Sequence, residues 1–313
     1  MPTPMQARYL GGLFVLGAIW GAAFMLIKIA VAEIPPAPLV AVRLVIAALI
    51  LIAVLYARGM RLPTSGRVWR DFMVVGTLGV AVPFMLIGWG QQFIPSSLTA
   101  IINASVPLFS VLLSYIWTRE ERLAGIKLAG LGLGFVGVVL AVGWDSLSLE
   151  SAATQGELAV LGASVCYAIT GIYGRRAFQG MPAMVPATGQ ITAGALVMLL
   201  ATPLLGGYPQ ALPSAGPAMA LLALAVLPTA VAYILFYWVM DAIGATRTSM
   251  VTYLIAPFGL VFGALFLGEQ IGPGAVGGLA LVIVGILVAN GVVRPKAEGR
   301  KLNTEASSLR REP

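Results

Sequence analysis

Ten long apolar stretches follow one another along the chain. They lie at about Tyr9–Val31, Pro38–Ala57, Phe72–Phe93, Ser97–Thr118, Ile126–Trp144, Leu158–Gly174, Val185–Leu205, Pro217–Met240, Thr248–Leu267 and Pro273–Val293. Each approaches the roughly 20 apolar residues that a helix needs to cross the hydrocarbon core of a bilayer. The linkers are short and carry Pro, Gly and charge, as in Arg58–Arg70 and Asp145–Gly156. Apolar runs this continuous exclude a membrane β-barrel, whose strands alternate. The pattern predicts an all-α membrane protein with ten transmembrane helices. The first stretch is too long for a signal-peptide core and no clear cleavage site follows it, so it is expected to be retained.

The cations sort by loop. Arg8, the Arg58–Arg70 linker, the Arg119–Lys127 turn, Arg175 with Arg176, Arg247, and the residues from Arg294 onward all fall on one side of a ten-span layout. They make up seventeen of the nineteen Lys and Arg, and the other side receives none. The remaining two, Lys28 and Arg43, lie inside spans 1 and 2. Cytoplasmic loops collect Lys and Arg, so both termini are expected in the cytoplasm, with the chain in the cytoplasmic (inner) or plasma membrane. Residues 294–313 are polar and basic and read as a disordered cytoplasmic tail.

Composition narrows the chemistry. Hydrophobic residues make up 59% of the chain and charged residues 10%, and mean hydropathy is +0.95. Soluble, fibrous and disordered proteins do not look like this. There is no histidine, which excludes a Ser-His-Asp triad and His-ligated metal. The lone cysteine, Cys166, excludes an intrachain disulfide. No GxxxxGK[ST] loop occurs. No cofactor, no metal and no conventional enzymatic activity are expected. The net charge of +7 reflects topology and anionic membrane lipid rather than a nucleic-acid partner.

The two halves resemble each other. Leu16-Gly17-Ala18 recurs as Leu161-Gly162-Ala163, and Trp89 as Trp238; Glu121, Gly130 and Gly137 recur 148 positions on as Glu269, Gly278 and Gly285. Five spans per half is an odd number, so the second half enters from the opposite face, as in many secondary transporters. The expected organisation is a first five-helix repeat at residues 1–146, an inverted second repeat at 147–293, and the tail at 294–313. Pro83 and Pro228 fall mid-membrane in spans 3 and 8, and Pro107 and Pro257 in spans 4 and 9. Each removes a backbone hydrogen bond, and paired breaks at matching depth point to a midplane site or gate. The bland alternative is that proline is simply common in membrane helices.

A further set of residues occurs in order. Trp20-Gly21 precedes Lys28 in span 1, and Pro38 precedes Arg43 in span 2. Gln92-Phe93-Ile94-Pro95-Ser96-Ser97-Leu98-Thr99-Ala100 leads on to Pro107. Glu121-Arg122-Leu123 and Leu267-Gly268-Glu269 precede the last span of each half. Together these resemble the drug/metabolite transporter superfamily, in particular its ten-helix EamA-type exporters, over about residues 10–292. The resemblance implies two five-helix repeats around a central cavity lined by spans 1, 3, 4, 6, 8 and 9, with spans 5 and 10 to one side. It implies export of amino acids, other metabolites or drugs, and exchange of nucleotide sugars and sugar phosphates among superfamily relatives. One departure concerns coupling: small four-helix members use a first-helix glutamate, whereas span 1 here carries Lys28.

Candidate substrate-binding residues are Trp20, Lys28, Asn103, Tyr167, Thr170, Tyr237, Trp238 and Thr252. Aromatics on spans 1, 6 and 8 can wall a cavity, or form an interfacial belt instead. Asn103 lies one turn before Pro107, whose ring frees the Asn103 carbonyl. Lys28 and Arg43 are costly in hydrocarbon, so each either acts in function or snorkels outward, where Glu33 can pair with it. Glu33, Arg43, Glu121 and Glu269 are candidate structural or gating charges. Gly130-x-x-x-Gly134 and Gly274-x-x-x-Gly278 are small-residue faces suited to packing within a monomer, or to a homodimer through spans 5 and 10.

The expected function is alternating-access secondary transport of a small-molecule substrate, with membrane lipid the other partner. Amino acids and related metabolites come first and export is the expected direction. An exchanger of anionic phosphorylated solutes is the rival within transport, motivated by Lys28 and Arg43. An intramembrane enzyme and a non-transporting scaffold are the rivals outside it. No proton relay through a buried carboxylate is expected, because every Asp and Glu falls in a loop or at a span end.

Overall fold

The computed structural model describes residues 4–118, 125–143, 150–209 and 211–290, and among these every regular element is helical. In chain order the helices are α1 (Arg8–Ala30), α2 (Pro36–Ala57), α3 (Gly66–Gly90), α4 (Ser96–Trp117), α5 (Gly125–Val142), α6 (Ala152–Ala177), α7 (Met184–Leu205), α8 (Ala215–Ile243), α9 (Ser249–Leu267) and α10 (Pro273–Ala289). The first nine are long and apolar enough to cross a membrane; α10 is apolar but shorter. Large side chains such as Leu200, Leu265 and Phe266 point outward from the bundle. Such a surface is costly against water and costs nothing against lipid.

Local sequence sets the helix ends. Pro36 and Pro273 occupy first-turn positions, where the missing N–H is not needed. Gly268 closes α9 at φ +66, a conformation other residues resist. Helices α3 and α6 start at Gly66 and Ala152, ahead of the apolar runs, so Asp71 and Glu157 lie inside the helices and are buried. That corrects the expectation that all acids sit at loops or span ends.

Three helices are irregular inside. α3 has a π-helical turn at Thr77–Ala81 just before Pro83, and α8 has one at Ala225–Val231 around Pro228. α4 is interrupted at Ala104–Ser105, and Pro107 starts its second half. Pro257 behaves differently, since α-helix runs unbroken through it from Thr252 to Leu267. It sits near that helix's start, and the one bond it forfeits is to the Tyr253 carbonyl.

The helices pack in a reciprocal arrangement. α1 packs on α8 and α9, and α6 packs on α3 and α4; α2 pairs with α7, and α5 with α10. Glycines sit where backbones cross. A Cβ on Gly278 would lie 2.5 Å from the Gly137 carbonyl oxygen, and one on Gly285 would lie 2.5 Å from the Gly134 nitrogen. The two glycine faces therefore meet each other within the chain. The largest buried cluster joins α1, α2, α3, α7 and α8 around Leu39, Leu44 and Leu51.

Candidate functional site

A cavity of about 280 Å³ lies among α1, α2, α3, α4, α6, α8 and α9. Its wall is apolar and aromatic with a few polar groups, the character of a small-molecule site. Trp20, Phe84, Tyr167 and Tyr233 supply rings, and Arg43 and Asn103 supply polarity. Helix α2 enters the wall through Arg43, in addition to the helices the sequence resemblance implies.

The polar wall is built from the irregularity in α8. Pro228 has no N–H, so the Leu224 carbonyl four residues earlier loses its α-helical partner and the helix widens into the π turn. The Thr229 hydroxyl donates to that carbonyl at 2.7 Å. Arg43 Nε in turn donates to the Thr229 oxygen at 2.8 Å. The guanidinium lies over the Phe84 ring, 3.9 Å from its centre. From α1, Trp20 Nε1 donates to the Pro228 carbonyl at 3.1 Å. The irregular turn thus anchors a buried cation through Thr229 and an indole through the Pro228 carbonyl.

Asn103 ends the first half of α4, and its side-chain oxygen is buried with no hydrogen-bond partner. Beyond the cavity, toward the end whose loops carry no Lys or Arg, Gln91 is fully buried and neither amide atom is partnered.

The same end is tied by two charges. Lys28 Nζ donates to the carbonyls of Gln91 at 2.6 Å and Ile94 at 2.9 Å, where α3 terminates. A cation at a helix C-terminus is favoured by the exposed carbonyls. Glu269 accepts from the backbone N–H groups of Ser96 and Ser97 at 2.7 and 2.9 Å, where α4 starts. Burial pushes the Glu269 carboxyl up, but the hydrogen bonds from Ser97 and Ser96 prevail and hold it below the usual carboxylate range. Glu33 makes a parallel contact, accepting from the Ser214 hydroxyl and N–H, both at 2.7 Å, ahead of α8. These bonds hold its carboxyl low as well.

The sequence-predicted residues therefore divide. Trp20, Asn103, Tyr167 and Thr252 line the cavity together, with Pro107 and Pro228. Lys28 does not; it caps α3. Thr170 donates to the Cys166 and Tyr167 carbonyls in its own helix. Tyr237 belongs to a ring cluster with Tyr233 and Phe236 behind the wall. Trp238 packs on Tyr9 and carries Arg8 over its face at the chain's N-terminal end. The pairing of Glu33 with Arg43 or Lys28 does not form, because Glu33 is engaged by Ser214 and each cation has other partners. Pro83 is buried in α3 and Pro257 lies within α9, neither on the wall. Glu121 and residues 294–313 lie outside the described residues.

Two residues of the site escape sequence reasoning, Thr229 and Phe84. A hydroxyl directly after a mid-span proline is the signal that could have found Thr229. Phe84 carries none, being one apolar residue in an apolar run. A second hollow of about 350 Å³ lies near Arg67, Arg70, Asp71 and Tyr173. It lies at the arginine-rich end, with the Arg70 side chain 67% exposed, and its wall includes three arginines and an aspartate.

The sequence profile of the EamA-like transporter family matches residues 9–143 and again residues 154–291. The uncharacterized transporter YoaV of Bacillus subtilis is 25% identical over 278 residues, covering 88% of this chain and 94% of that protein. The uncharacterized inner membrane transporter YedA of Escherichia coli K12 is 27% identical, with 83% of each chain covered. A protein of Streptantibioticus cattleyicolor named "Probable terminal-alkyne amino-acid exporter" is 27% identical, covering 87% of this chain and 89% of that protein. A solved crystal structure has the same fold, with a TM-score of 0.67 at 22% identity, over 92% of this chain and 99% of that one. The chain belongs to the EamA-like transporter family.

Proposed function

We propose that this protein is a secondary transporter of the cytoplasmic (inner) membrane, exporting small organic metabolites by alternating access, with amino acids the first substrate class. The observation that carries this reading is the central cavity. Helices from both halves of the chain wall it, and the interruptions at Pro107 and Pro228 reach its surface. Broken helices meeting at a midplane cavity suit a site that opens alternately to each face. The exporter name of the Streptantibioticus relative favours the amino-acid class. The cavity offers no acid–base pair or activated nucleophile, which favours transport over catalysis.

In this proposal ten helices span the membrane as two inverted five-helix repeats, residues 1–146 and 147–293, with a cytoplasmic tail at 294–313. The double match of one family profile, the α5–α10 and α2–α7 pairings and the π turns in α3 and α8 support a repeat. The cation-rich loops support a cytoplasmic location for both termini. The Lys28 and Glu269 contacts then close the outer end. The protein works as a monomer, or as a homodimer through the lipid-facing sides of α5 and α10. Phosphorylated solutes rank below monoanions and zwitterions, because Lys28 is engaged by carbonyls and Arg43 is the cation on the cavity wall.

Counterflow in proteoliposomes tests the proposal. Vesicles carrying the purified chain are loaded with unlabelled amino acids, and uptake of each labelled one is followed without an ion gradient. Accumulation above empty vesicles is the expected result. No accumulation of any amino acid removes that class from the proposal.

A further inference from the structure

Arg43 is 4% exposed, and it lines the central cavity. Among the described residues no Asp or Glu forms an ion pair with it, and only its Nε finds an acceptor, Thr229. A guanidinium presents a fork of donors that matches a carboxylate. A buried cation without a counter-ion is strongly unfavourable, so the site gains most by taking its negative charge from the solute.

The neighbourhood sets the rest of the solute. Trp20, Phe84, Tyr167 and Tyr233 make the space around Arg43 flat-walled and apolar. One cation in a cavity of about 280 Å³ suits one negative charge on a small body. We propose that Arg43 is the carboxylate-recognition residue of this cavity, and that the transported solute is a small monocarboxylate or zwitterion with an apolar side chain. Asn103, whose buried side-chain oxygen lacks a donor, accepts from an ammonium group when the solute carries one. The inference rests on the cavity being the transport site, and it deepens that reading by naming the group recognised.

Matched probes test it on the full-length protein in lipid nanodiscs, by the shift each gives to the thermal unfolding midpoint. The probes are 4-methylpentanoate with its neutral amide, 4-methylpentanamide, and leucine with leucinamide. Each pair differs by the charged oxygen and shares one apolar body. The carboxylates are expected to stabilise the protein at concentrations at least about tenfold lower than the amides. Arg43→Gln is expected to abolish that preference, and Arg43→Lys to restore part of it. Equal stabilisation by acid and amide, no stabilisation by either carboxylate, or a preference surviving in R43Q overturns the inference. If R43Q does not fold, the wild-type acid–amide comparison decides alone. Carboxylate binding without counterflow would sink the transport reading and leave the Arg43 site standing. Counterflow of uncharged solutes with no carboxylate preference would do the reverse.

Discussion

Glu269 receives the backbone N–H of Ser96 at 2.7 Å, joining points 173 residues apart in the chain. A carboxylate beyond the end of α9 thereby supplies the cap that α4 lacks locally, since no side chain of its own caps it. The second bond, from Ser97, makes the carboxylate span two of the helix's unpaired donors.

The ionised form of Glu269 is favoured by folding, since its hydrogen bonds outweigh burial and lower its pKa. Its contribution is complete above the ordinary glutamate value of 4.5 and is lost as pH falls from there through the lowered folded value. The wild-type unfolding midpoint in detergent is expected to drop across that acid window. Glu269→Gln is expected to cost about 1 kcal/mol at neutral pH and to flatten the acid dependence. A Gln variant that matches wild type at every pH would remove the cap from the account.

Thr229 stands between a carbonyl and a cation, and one hydroxyl serves both. Thr229→Val keeps the shape and deletes the group, leaving Arg43 Nε without its acceptor in a buried place. The expected loss is about 1–3 kcal/mol of stability with weakened carboxylate binding, and Thr229→Ser is expected to recover most of both. Unfolding midpoints and probe titrations on the two variants make the comparison. Equal behaviour of Val and Ser would mean that the hydroxyl carries nothing.

Two glycines separate packing from propensity. A Cβ at Gly278 meets the Gly137 carbonyl at 2.5 Å, whereas a Cβ at Gly132 on α5 meets nothing within 4 Å. Gly278→Val is expected to cost more than about 2 kcal/mol or to prevent accumulation in the membrane. Gly132→Ala is expected to be neutral or stabilising by up to about 1 kcal/mol. Expression level and unfolding midpoint measure both, and a Gly278→Val protein as stable as wild type would contradict the close α5–α10 contact.

The helices were legible in the sequence because a membrane span is a matter of length and apolar content, and the chain states both. Part of the cavity was legible too: Trp20, Asn103, Tyr167 and Thr252 are large or polar residues set in apolar runs. Lys28 was misplaced for a physical reason. Its acceptors are the main-chain carbonyls of Gln91 and Ile94, and carbonyls leave no mark in a sequence. Glu33 was paired with the wrong partner because its true one, Ser214, is remote in the chain. The proline rule held at Pro228, where the helix loosens into a π turn. It failed at Pro257, where the forfeited bond falls near a helix start. Rotation of each helix about its axis decided which aromatics face inward, and uniformly apolar helices do not reveal it.

The α5–α10 seam is made of missing side chains. Backbone lies on backbone at Gly130, Gly134, Gly137, Gly278 and Gly285, so this strip has nothing to trim and no room to grow. It cannot be retuned by substitution, only kept or broken. Variation that alters what the protein carries is thereby confined to positions away from the seam, such as the cavity wall, where Trp20, Phe84 and Tyr233 can be exchanged for other shapes while the seam stays fixed.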